Sequence, residues 1–148
     1  MFTSILFFGL AIFTSHTLTR LLPTAWLVPD MLLIAFVLGT ARRLPGLWMA
    51  RLLASGVMGL LAVRHSMAVF LIYWLIGEGI AWTMRRWDGM HVSVQQILLG
   101  SGELMLVIGW WMLDGLAPLW WLIGLGLFRV LITCAVGWIT RPLLRPAW

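Results

Sequence analysis

Six apolar runs, at approximately 2–15, 26–41, 46–63, 67–84, 92–113 and 117–139, fill almost the whole chain and leave only short polar turns between them. Water cannot be the solvent for such a pattern. Of the 148 residues, 62% are hydrophobic and 10% charged, and the mean hydropathy is +1.01, more apolar surface than a soluble domain of this size can bury. A bilayer is the solvent that fits. At roughly 20 residues per crossing the length holds five or six helices and leaves no room for a soluble domain. The expected fold is all-α: one integral membrane domain, 1–148, a polytopic bundle of six short transmembrane helices.

Breakers set the expected ends. Ser15, His16 and Thr17 close the first run early, with continuation to Leu22, ahead of Pro23, as the alternative. No basic residue precedes that run in Met1-Phe2-Thr3-Ser4, so it is read as a first span and not as a cleaved signal. The second run opens at Pro29-Asp30, where proline suits a first helical turn and aspartate complements the helix dipole. It closes at Gly39 and Arg42-Arg43-Leu44-Pro45. Tight turns are expected at Arg64-His65-Ser66, joining the third and fourth spans, and at Asp114-Gly115 with Pro118, joining the fifth and sixth.

The net charge is +5, and all ten basic residues are arginines. They are spread along the chain and not gathered into a stripe, which argues against nucleic acid and for topology signals. With six spans, Arg42, Arg43, Arg85, Arg86, Arg141 and Arg145 fall on one side and only Arg20 and Arg64 on the other. By the positive-inside rule the first side is cytoplasmic, and both termini with it. Tryptophans, eleven in all, gather near expected helix ends as interfacial belts do.

Four charges fall where a bilayer should exclude them: Arg51, Glu78, Glu103 and Arg129. Each costs at least ~2.5–3.5 kcal/mol at mid-bilayer, so each should face protein or water and find a partner. Glu103 and Arg129 are equidistant from residue 116, the middle of their expected turn. Arg51 and Glu78 are symmetric about the Arg64-His65 turn, roughly 8–10 Å in from the cytoplasmic face at 1.5 Å per residue. Two depth-matched intramembrane ion pairs are therefore expected. Neutralisation for insertion is one reading of them; a charged core that binds a ligand or a partner helix is another.

Gly56 and Gly59, Gly77 and Gly79, Gly100 and Gly102, and Gly124 and Gly126 are candidates for close helix packing, since small residues let backbones approach in lipid. No catalytic constellation is expected. His16, His65 and His91 sit in or beside three different loops in this reading and cannot share a metal. Cys134 is alone, Ser55 and Ser101 have no base nearby in sequence, and the chain has no lysine for a phosphate loop. The expectation is a protein that is not an enzyme and holds no metal or cofactor.

The Pro29-Asp30 opening, the apolar stretch Met31 to Leu38 closed by Gly39 and arginines, and the third span with Gly56 and Gly59 turned tightly into a fourth form one pattern. Together with Gln95-Gln96 opening the fifth span and the Arg141-Pro142 tail, the layout resembles the rod shape-determining protein MreD family across nearly the whole chain. The resemblance implies a non-enzymatic scaffold of the cell-elongation machinery in a bacterial inner membrane, binding a single-span MreC-like partner. The same layout is similar to the substrate-binding S components of energy-coupling factor transporters, which implies vitamin uptake instead. An accessory subunit of a membrane complex is a third alternative.

Overall fold

The computed structural model describes residues 2–21, 28–62, 64–87, 91–114 and 119–143. Six helices follow in order: α1 Phe2–Leu21, α2 Met31–Ala41, α3 Leu47–Leu61, α4 Ser66–Arg86, α5 Val92–Asp114 and α6 Leu119–Leu143. No strand occurs among the described residues. Four helices, α1, α4, α5 and α6, contain stretches long and apolar enough to cross a membrane, which marks a multi-pass membrane protein. The helices α2 and α3 are apolar but shorter.

Helix α1 runs past the early stop and carries Ser15, His16 and Thr17 within it, close to the alternative of continuation to Leu22. The hydroxyls of Thr14, Thr17 and Thr19 donate to the carbonyls of Leu10, Phe13 and Ser15, one turn back, so these polar side chains need no water. His16 is thus a helical residue in the last part of α1.

The second run is the largest correction. In place of a 26–41 span, helix begins only at Met31; residues 26 and 27 lie outside the described residues. Pro29 disfavours helix at the residue before it. Asp30 is the N-cap, its carboxylate accepting the N–H of Leu33 at 2.9 Å. Eleven residues give a rod of about 16 Å, roughly half a hydrocarbon core. A short helix survives here because it is central: it contacts each of the other five, and Leu32 to Gly39 are buried without interruption. Helix apolar all round belongs in a core, and irregular backbone at its end is tolerated only where protein covers it.

Around this core the sequential helices alternate in direction. Gly59 meets Phe70 and Arg51 meets Glu78, so α3 and α4 are antiparallel. Gly126 against Val107 and Gly137 against Leu99 do the same for α5 and α6. Ser4 Oγ donates to the Pro45 carbonyl at 2.5 Å, pinning the start of α1 beside the α2–α3 turn. One end of the bundle therefore gathers the start of α1, the turn with Arg42 and Arg43, Arg85 and Arg86 at the end of α4, and Arg141 near the end of α6. Arg20 and Arg64 lie at the opposite end, and Arg145 lies outside the described residues.

Candidate functional site: a charged centre inside the bundle

Register in the α5–α6 hairpin brings Glu103 and Arg129 together. Each stands near the middle of its helix, and Arg129 Nε lies 2.5 Å from Glu103 Oε1. This is a charge contact, the N–H not being aligned on the oxygen. Glu103 is fully buried, and the Arg129 side chain is 16% exposed. Thr133, one turn beyond Arg129 on the same face, donates to Glu103 Oε2 at 3.2 Å.

The centre is larger than that pair. Asp30, 3% exposed, has Oδ2 3.8 Å from an Arg129 terminal nitrogen and accepts the Tyr73 hydroxyl on the same oxygen at 2.6 Å. Its backbone N–H donates to Thr133 Oγ1 at 3.3 Å. Four helices, α2, α4, α5 and α6, thus meet on two carboxylates, one guanidinium, a phenol and a hydroxyl. The start of α2 adds the partial positive charge of a helix N-terminus on the side of Asp30. Arg129 is shared: bound closely by Glu103, it also faces Asp30 across a longer gap.

Asp30, Tyr73 and Thr133 were not among the sequence-derived site residues, because Asp30 reads locally as a helix-start residue. One signal was present. A 26–41 span would have carried that aspartate a full turn inside its start, which is a charge in the membrane like the other four.

Arg51 and Glu78 form a separate pair between α3 and α4, with Arg51 Nε and Nη2 donating to Glu78 Oε1 at 3.2 and 2.8 Å. Arg51 is buried, while the Glu78 side chain is 29% exposed. Gly77 makes room: a Cβ there would stand 3.2 Å from Arg51 Cδ and from the Phe36 ring. The two ion-pair centres do not touch through any described contact.

Of the eight glycines singled out, five sit against neighbours. A Cβ at Gly59 would meet the Ser66 carbonyl at 2.7 Å, at Gly102 Leu33 at 2.8 Å and at Gly126 Val107 at 3.0 Å. Gly77 is somewhat less tight at 3.2 Å, and Gly100 makes ordinary contacts at 3.8 Å. Gly56, Gly79 and Gly124 face open space, with nothing within 4 Å. Successive helical residues are about 100° apart, so two glycines two positions apart cannot both face one neighbour. Gly137 and Gly109, pressed by Leu99 and Ile72, are close contacts that the sequence reading did not select.

Among the described residues no group of three or more His, Cys, Asp and Glu side chains could hold a metal. What the centre can do chemically is neutralise and orient: it locks four helices to one guanidinium. No protein-family model matches the chain, and no curated protein or solved structure matches it.

Proposed function

We propose that the chain is a non-enzymatic, MreD-like scaffold that recognises other membrane proteins, in a bacterial-type inner membrane, with six spans and both termini in the cytoplasm. The observation that carries this reading is how the interior polar groups are used. Glu103, Arg129, Asp30, Tyr73 and Thr133 are engaged with one another, and Arg51 with Glu78, so they hold helices in place. The surface offered to the surroundings is apolar, with Leu6, Leu10 and Phe13 on α1 and Leu127, Leu131 and Trp138 on α6 exposed. Such a surface suits contacts with lipid and with partner helices.

The orientation rests on the arginines. Five described ones gather at the end with the α2–α3 turn, against Arg20 and Arg64 at the other, and short cytoplasmic loops carry the arginine excess. The two short helices differ: α2 is shielded by its neighbours, whereas α3 turns Trp48, Leu53 and Leu60 to the surroundings.

The test is co-expression with a single-span MreC-like protein, followed by purification in mild detergent, with reporter fusions at positions 43, 64 and 86. A stoichiometric complex with 43 and 86 inside and 64 outside is the expected result. Failure to form that complex, with a tightly held small molecule found by mass spectrometry, would refute the scaffold and favour an S-component-like capture protein.

A further inference from the structure

Between α1 and α6 the bundle does not close. An apolar groove of about 170 Å³ runs there, with Phe7, Leu10 and Thr14 of α1 on one wall and Thr140 of α6 on the other. Its floor is the face of α2 formed by Met31, Ile34, Ala35 and Leu38. These two walls belong to the least covered of the membrane-crossing helices: 17% of each apolar stretch is buried inside the bundle, against 39% for α5. The groove therefore opens sideways into the bilayer.

Its ends differ in charge. Helices α2 and α6 run parallel with a constant register: Asp30 bonds Thr133 and Ile34 lies against Gly137, each pair 103 positions apart. Continued by one turn, that register sets Arg141 level with Leu38. Arg42 stands four residues beyond Leu38, on the same side of the helix and exposed. Arg141 adjoins the groove residue Thr140 and also lines a hollow with Trp138 and Pro142. So Arg42 and Arg141 stand just past the lining of the groove on its two sides, at the bundle end where the other arginines gather. Floor residues Met31 to Leu38 span about 10 Å along the membrane normal.

An apolar lining open to the bilayer and a cationic end together match an amphiphile with an anionic head, about 10 Å of whose hydrocarbon chain the groove would hold. We propose that this groove is a binding site for one anionic phospholipid, its acyl chain against Ala35 and Leu38 and its phosphate between Arg42 and Arg141. Guanidinium groups suit phosphate because they donate in a planar fork.

The experiment uses the full chain purified in detergent, where insertion orientation is not a variable, with native mass spectrometry of bound lipid. Phosphatidylglycerol and phosphatidylcholine of identical acyl chains are the probes. Wild type should retain one phosphatidylglycerol in preference to phosphatidylcholine. Arg42→Gln and Arg141→Gln should each weaken phosphatidylglycerol retention about fivefold, and the double variant about 25-fold. Arg85→Gln with Arg86→Gln makes the same charge change at the same end, away from the groove, and should leave retention unchanged. Thr14→Phe, which narrows the groove, should lower retention of both lipids. Equal retention of the two lipids by wild type would overturn the proposal. So would equal losses in the two double-arginine variants, or a partner helix crosslinked to Thr14 and Thr140 in place of lipid. If Thr14→Phe fails to fold, the wild-type comparison and the two arginine pairs still decide.

Discussion

Replacing Arg129 with methionine keeps an extended side chain of similar reach and removes the guanidinium that Glu103 and Asp30 share. Glu103 is fully buried and Asp30 3% exposed, so neither carboxylate has water to fall back on. At an effective dielectric of about 20, unit charges at the observed 2.5 and 3.8 Å attract by about 7 and about 4 kcal/mol. Desolvation of the arginine offsets much of this. Removing one partner of a buried pair nevertheless costs about 3–5 kcal/mol, because the remaining charge stays buried without compensation. Arg51→Met is the matched control. Its partner Glu78 is 29% exposed, so solvent and headgroups take over part of the lost pairing, and about 1 kcal/mol is expected. In the double variant Glu103→Gln/Arg129→Met one of the two orphaned carboxylates is neutral, while Asp30 keeps its bonds from Tyr73 and the Leu33 N–H, and about 2 kcal/mol of the single-variant loss should return. Reversible unfolding in mixed micelles, followed by the fluorescence of the eleven tryptophans, reads all four proteins on one scale. An Arg129→Met protein no less stable than Arg51→Met, or a double variant as unstable as Arg129→Met alone, would refute the reasoning.

Tyr73→Phe removes the hydroxyl that Asp30 accepts at 2.6 Å and should lower stability by about 1.5–3 kcal/mol, as expected for a bond to a charged acceptor. Thr133→Val keeps the shape but strips the hydroxyl bridging Asp30 and Glu103; a loss of about 1–3 kcal/mol in the same unfolding assay is expected. Gly59→Ala would press a methyl into the Ser66 carbonyl, which is backbone and cannot turn aside, so the α3–α4 hairpin should be destabilised. Gly56→Ala, with open space around it, should be neutral or stabilising by up to about 1 kcal/mol through helix propensity; equal effects of the two glycine changes on thermal stability would contradict the packing described.

Much of the architecture is legible from local features. Long apolar runs report the solvent directly, and short turns hold their hairpins in register at 1.5 Å per residue. Counting outward from the turns is therefore enough to set Glu103 beside Arg129 and Arg51 beside Glu78. Helix ends are less legible. Ser15, His16 and Thr17 look like breakers in sequence, but the hydroxyls of Thr14, Thr17 and Thr19 bond back into α1 and let it continue. Pro29-Asp30 reads as the first turn of a span, whereas the cap begins a helix that lies wholly within the bundle.

The amino-acid sequence by itself determined the medium, the helical class, the pairing within each hairpin and the asymmetry of arginines, because these depend on composition and on neighbours a short turn apart. Only the tertiary structure decided that α2 is the core against which the other helices pack, and that Asp30 faces Arg129 and Tyr73 inside it. Contacts such as Asp30 with Thr133, 103 positions away, leave no periodicity in the chain. They arise when helices with similar apolar patterns choose among neighbours, a choice made by shape and by the need of each buried charge for a counter-charge.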